Sequence, residues 1–251
     1  MKIKKTKVIK DSWNSFMMQN AKFCEYDIPY CPTTALTLPI MIITFEEAKS
    51  IYRKMMYRGD KYFRHISYVC FYLDDYKFDG LNGIWLNPKK ALKILSHFMG
   101  IITPDFSTYQ DFPEALKIYN TYRMRAFGYW IGECGINVIN NVRWGTSETY
   151  RYCFSGIPKD SIIAIGTVGG NPRKIVDRKR FNEGFFEMLK ILNPHTIIVY
   201  GSAKYPCFKV ARDKHIQIIE FSSRTADAYQ RRKTKWARDT VDCLTEPRGH
   251  L

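Results

Sequence analysis

The chain has 251 residues, 45% of them hydrophobic and 15% aromatic, enough to bury one sizeable core and too apolar for an intrinsically disordered protein. Its 39 Lys and Arg against 24 Asp and Glu give a formal net charge of +15, a field that attracts polyanions, with nucleic acid the first partner to consider. Seven scattered cysteines without a Cys-x-x-Cys spacing point away from a zinc site or a disulfide framework and toward buried thiols in a cytoplasmic protein.

Residues 1–35 read as a basic arm (Lys2, Lys4, Lys5, Lys7, Lys10) followed by a proline-punctuated stretch, IPYCPTT, lying over the main domain or pairing at a sheet edge. The basic start passes into DSWNSF without an apolar segment, so no signal peptide is expected, and no run reaches membrane-spanning length. The α/β domain is expected over 36–223. Its first unit pairs a strand at Leu36 to Thr44 with a helix from Phe45 that stops at Gly59, with Thr44 as N-cap and acids in the first turn. A second strand covers Ile66 to Leu73, and its helix opens at Asn87-Pro88 and runs to Gly100. A third strand starts at Ile101 and precedes the longest helix, Phe112 to about Glu133.

The fourth strand, Ile136 to Trp144, is followed by GTSETYRYCFSGIPKD, which has no helical period and reads as a β-excursion or lid. Strand Ile162 to Val168, helix Arg178 to Leu192, strands Thr196 to Tyr200 and Ile216 to Phe221, and a basic helix from about Thr225 to Asp239 within a 224–251 tail complete the chain. Six or seven βα units demand a mainly parallel sheet, either TIM-barrel-like, whether complete, incomplete or modified, or an open doubly wound sheet. In both, ligands meet the carboxyl ends of the strands.

The candidate site residues follow from those strand ends. Asp105 in TPDFS is the candidate base, nucleophile or metal ligand, with a loop-bracing carboxylate as the structural alternative. Asn141, Arg143 and Trp144 close the next strand and offer an amide, a guanidinium for phosphate and a stacking platform; the structural alternative pairs Arg143 with Asp105. Thr167, Gly169 and Gly170 form a turn whose amides suit an anion, or a turn with no ligand. Tyr200 and Ser202 end the sixth strand, and Glu220 completes a carboxylate pair with Asp105 if it faces inward. Arg123 and Arg125 in the long helix and Arg231, Arg232, Lys233 and Lys235 in the terminal helix are the candidate phosphate contacts, with a solvated charged face as the alternative for the latter.

No G-x-G-x-x-G, P-loop, H-E-x-x-H or G-x-S-x-G pattern occurs, so neither a standard dinucleotide site nor a standard hydrolase elbow is expected. No cofactor is named by the sequence, although magnesium held by carboxylates leaves little trace.

The segments PDFS, NTYRMR, NNVRWG and YRYCFSGIP, within a span from about Ile40 to Phe221, resemble a family of uncharacterised proteins labelled as a domain of unknown function and found in prophages, plasmids and conjugative elements of low-GC bacteria. The resemblance implies a mobile-element setting and supplies no activity. Three functions stay open at this point. One is nucleic-acid or nucleotide binding at the strand-end rim, with phosphate chemistry as an extension. The second is a non-enzymatic interaction protein, with a host or mobile-element partner, acting in replication, regulation or counter-defence. The third is a small-molecule enzyme unrelated to nucleic acid.

Overall fold

A computed structural model describes residues 13–168, 175–223 and 226. Seven strands form one wholly parallel sheet in sequential order: β1 (Ile42–Thr44), β2 (His65–Cys70), β3 (Phe98–Ile102), β4 (Asn137–Asn141), β5 (Ile162–Gly166), β6 (Thr196–Tyr200) and β7 (Gln217–Phe221). Between them run α1 (Phe45–Tyr57), α2 (Pro88–Leu95), α3 (Glu114–Glu133), α4 (Tyr150–Cys153), α5 (Ile175–Leu192) and α6 (Pro206–Asp213). The order never reverses, so there is no switch point of the doubly wound kind and the sheet is barrel-like.

Alternation along the strands assigns the two faces. Val69, Phe71, Ile101 and Val138 join α1, α2 and α3 in one outer cluster, while Ile163, Ile165, Ile197 and Val199 join α5 and α6 in a second. Tyr68, Cys70, Ile102, Ile139, Ala164 and Ile198 form a third cluster to which no helix contributes, the inner face.

The sheet is curled. Tyr72, just beyond β2, stacks on Tyr200 of β6 at 5.1 Å between ring centroids. Four inter-strand steps on a flat sheet would separate these strands by about 19 Å. The curl stops at seven strands, with β1 and β7 at the two ends of the order, against eight strands in a closed barrel.

β4 and β5 pair only over Asn140 and Asn141, and the lower part of β4 is claimed by the N-terminal segment. Thr34 and Ala35 N–H both donate to the Val138 carbonyl, and Val138 N–H donates to Thr34 Oγ1 at 2.8 Å. Cys31 belongs to an outer cluster and Ala35 to the inner one, so the chain threads through this split.

Several expectations change. The helix opening at Pro88 ends at Leu95 rather than Gly100, because β3 begins at Phe98 and pairs with His65; Gly100 sits within the strand beneath the Tyr68 ring, which a Cβ would meet at 2.3 Å. The first strand is only Ile42–Thr44. The stretch after β4 is not a β-excursion: Ser147–Thr149 forms a 3-10 turn that leads into α4. A helix unforeseen in the sequence, α6, joins β6 to β7, with Pro206 opening its first turn. The basic helix expected over 225–239 lies outside the described residues. Among the described residues, no helix is long and apolar enough to cross a membrane.

Candidate functional site at the carboxyl rim of the sheet

The segment after β3 carries Asp105. It is pinned by the fully buried Phe106, which packs 5.4 Å from Phe78, and by Ser107, whose N–H and hydroxyl donate to the Asp75 carboxylate at 3.1 and 2.9 Å. Burial pushes the Asp75 carboxyl above its ordinary range; the two Ser107 hydrogen bonds pull it down and the Asp105 charge pushes it up again.

Both oxygens of Asp105 are engaged. Asn141 Nδ2 donates to Oδ1 at 2.9 Å, and Arg143 Nη1 donates to Oδ2 at 2.7 Å. Asn141 is itself held by its N–H donating to Thr103 Oγ1 at 2.8 Å, by Tyr72 donating its hydroxyl to Oδ1 at 3.0 Å and by Arg125 donating to its carbonyl. Burial, followed by the neighbouring Asp105 charge, holds the Tyr72 phenol well above its ordinary pKa, so it stays a donor. A continuous chain therefore runs from Tyr200 through Tyr72, Asn141 and Asp105 to Arg143.

Arg143 commits one of its five N–H donors to Asp105. It borders a cavity of about 180 Å3 lined by Asp105, Thr108, Trp144 and Phe181, together with Asp177 and Arg180 from the first turns of α5. The buried Thr108 hydroxyl has no hydrogen-bond partner among the described residues. Arg180 is exposed and donates to Gln110 Oε1 at 2.7 Å. Trp144 leans on Phe181 at 5.2 Å and over Gly184, where a Cβ would lie 2.1 Å from its ring. An anchored guanidinium and an indole in one small cavity suit a phosphate-bearing ligand with a planar group.

The fit of these residues to magnesium is poor. N–H donors occupy both Asp105 oxygens, and among the described residues no group of three or more His, Cys, Asp and Glu side chains gathers.

Of the other strand-end candidates, Tyr200 joins the rim through its stack on Tyr72, and Thr167 is buried beside Gly201, where a Cβ would meet its hydroxyl at 2.3 Å. Glu220 does not pair with Asp105. It is exposed on β7 and accepts the Ala203 N–H at 2.8 Å, bracing the turn after β6. Ser202 lies in that turn and accepts the Lys204 N–H. Gly169 and Gly170 lie outside the described residues, as do Arg231, Arg232, Lys233 and Lys235.

The two arginines of α3 are placed away from solvent. Arg125 is fully buried and donates to the carbonyls of Asn141, Cys153 and Ser155, tying β4 to the α4 region; no donor reaches a polyanion from there. Burial lowers its pKa to about 10, with the nearby Cys31 and Cys153 opposing. Arg123 is held by Asp79 at 2.7 Å and by Asn120, its guanidinium centred 3.9 Å from the Phe106 ring centroid. Its role in this arrangement is to clamp the loop that carries Asp105.

Tyr72, Thr108 and Arg180 belong to the rim without being among the residues that the strand ends single out. For Tyr72 a signal existed, since Tyr68, Cys70 and Tyr72 alternate along the inner face.

No solved structure matches the chain. It is 36% identical over 136 residues to the Gene 1 protein of Mycobacterium phage D29, covering 54% of this chain and 48% of that protein. It is equally 36% identical over 136 residues to the Gene 1 protein of Mycobacterium phage L5, covering 54% of this chain and 57% of that one. The chain thus spans about half the length of the curated relatives it matches, and their phage origin supports a mobile-element setting. A family model described as Domain of unknown function (DUF4417) matches residues 21–222, and the chain belongs to that family.

Proposed function

We propose that this protein binds a phosphate-bearing ligand, a nucleic-acid terminus or a nucleotide, in the rim cavity, with Arg143 holding the phosphate and Trp144 flanking the base or sugar. The observation that carries this reading is the Arg143 guanidinium, anchored on Asp105 at 2.7 Å in a cavity walled also by Trp144 and Thr108. A cation fixed in advance loses little freedom on meeting an anion, and the strand-end rim of a barrel-like sheet is where such ligands sit. Arg180 adds a second positive charge to the lining, against the acid Asp177.

Asp105 serves in this reading as the group that aims Arg143. Its engagement by two N–H donors favours binding without turnover, which brings the protein close to the interaction-protein alternative. The test is titration of the full chain with a 5′-phosphorylated oligonucleotide and with its unphosphorylated twin, followed by tryptophan fluorescence. Wild type is expected to prefer the phosphorylated form by roughly tenfold, as for one charge-assisted pair, and Arg143→Met to lose that preference while remaining folded. Equal affinity for the two oligonucleotides in wild type would overturn the reading.

A further inference from the structure

The end of α1 and the turn into β2 carry a surface that the rim does not use. From Arg53 to Arg64 the chain presents Arg53, Lys54, Arg58, Lys61 and Arg64, all exposed, against the single acid Asp60. Among the described residues none of these five cations enters an ion pair. Between them stand Tyr57, 94% exposed, and Tyr62, 88% exposed, among the most exposed large side chains described.

Their exposure follows from the helix. α1 turns Phe45, Ala48, Ile51, Tyr52 and Met55 toward the core, which puts Tyr57 on the opposite side two residues on. The turn itself is built firmly. Gly59 takes the left-handed conformation (φ 81°), its N–H donates to Met56 O and the Asp60 N–H donates to Met55 O, the double closure of a Schellman motif. Phe63 then anchors the segment by stacking on His97 at 4.3 Å. Two solvent-facing phenol rings are thus displayed on a rigid turn among unpaired cations.

We infer that this turn is a docking surface for single-stranded nucleic acid, with Tyr57 and Tyr62 stacking on unpaired bases and Lys54, Arg58, Lys61 and Arg64 following the phosphates. Aromatic rings interleaved with a cationic track are what an unpaired strand requires, because every base offers a face and every nucleotide a charge. A duplex hides its bases and would leave both rings without a partner. A membrane surface would call for a face of exposed aliphatic wedges here; Met55 and Met56 are packed against the core, and the exposed Ile66 in β2 does not make such a face by itself. The surface is separate from the rim: it precedes the start of β2, whereas Asp105 and Arg143 follow the ends of β3 and β4 in the same parallel sheet, at its opposite end.

Fluorescence anisotropy of a labelled unphosphorylated oligo-dT 20-mer with the full chain tests this. Tyr57→Ala and Tyr62→Ala are each expected to weaken binding roughly fivefold or more, and duplex DNA of equal length to be insensitive to both. The double variant R58E/K61E is expected to flatten the log–log salt slope by about 1.4 or more, two single-strand phosphate contacts. These side chains are exposed, and unchanged thermal melting of the variants will show that folding is intact. Tyrosine variants that bind the oligonucleotide like wild type overturn the inference, as do phosphatidylserine vesicles bound in preference to the oligonucleotide. Arg143→Met separates the two sites: loss of the 5′-phosphate preference with oligo-dT binding retained leaves this surface standing, and loss of oligo-dT binding with both tyrosine variants unaffected leaves only the rim.

Discussion

Asp105 and Arg143, 38 residues apart in sequence, meet at 2.7 Å with only 10% and 20% of their side chains exposed. The carboxylate faces two donors, Arg143 Nη1 on one oxygen and Asn141 Nδ2 on the other. Asp105→Asn therefore cannot be silent: one of its two terminal atoms becomes an N–H2 aimed at an N–H. The expected cost is about 1–3 kcal/mol, the range for a mismatched buried polar contact, read as a melting temperature lower by roughly 2–12 °C in a chain of this size. The 5′-phosphate preference should fall in the same variant. A melting curve that superimposes on wild type would show that the pair is not formed in solution.

How much of this was legible in the sequence depends on burial. Apolar runs ending in polar residues mark the carboxyl rim, which is why Asp105, Asn141, Arg143, Trp144 and Tyr200 could be named from the chain alone and sit together in the structure. Charge is a poorer guide, because a guanidinium is written the same way whether it faces water or three carbonyls. Arg123 and Arg125 lie in α3, where residues from Lys117 to Ile131 are buried on several sides, so no polar stripe announces which cations are enclosed. Glu220 alternates correctly for either face of β7, and only the Ala203 N–H decides its direction. The α6 helix has eight residues, two turns with Pro206 at the start, too short for periodicity to separate from loop.

Tyr72 acts on the rim through Asn141. Its hydroxyl fixes which end of the Asn141 amide faces Asp105, so Tyr72→Phe frees the amide to turn while leaving the ring stacked on Tyr200. Stability should drop by only about 0.5–1.5 kcal/mol, one hydrogen bond. The phosphate preference should nevertheless fall several-fold, since a loosened Asp105 no longer aims Arg143. A variant that loses stability in that range yet keeps the full preference would confine Tyr72 to packing.

Gly184 sets the position of Trp144. In Gly184→Ala the new methyl would lie 2.1 Å from indole Cδ1, and the helix backbone cannot retreat without disturbing the buried Phe185 and Met188. Alanine raises helix propensity by up to about 1 kcal/mol, whereas overpacking costs about 1–3 kcal/mol. The clash should win. Urea unfolding at lower denaturant, together with a shifted tryptophan emission, is the expected result, and a stabilised protein with unshifted emission would contradict this placement.

Buried thiols make the fold sensitive to alkali. Desolvation pushes Cys31, Cys70 and Cys153 each from an ordinary 9.0 up to about 12, and Cys207 up to about 11. Between about pH 9 and 12 the unfolded chain has released these protons and the folded chain still holds them, so the folded state binds more protons and stability falls as pH rises. Arg125 works in the other direction, but its folded pKa of about 10 against an ordinary 12.5 brings relief only above pH 10. At pH 10 the thiols therefore dominate, with an expected loss of about 1 kcal/mol per buried thiol relative to pH 8. Urea unfolding under reducing conditions at the two pH values measures the loss, and Cys70→Ala should make it smaller by one thiol's share. Equal stability at both pH values would mean that the thiols ionise in place, and that the interior around β2 and the Cys31 segment is wetter than its packing indicates.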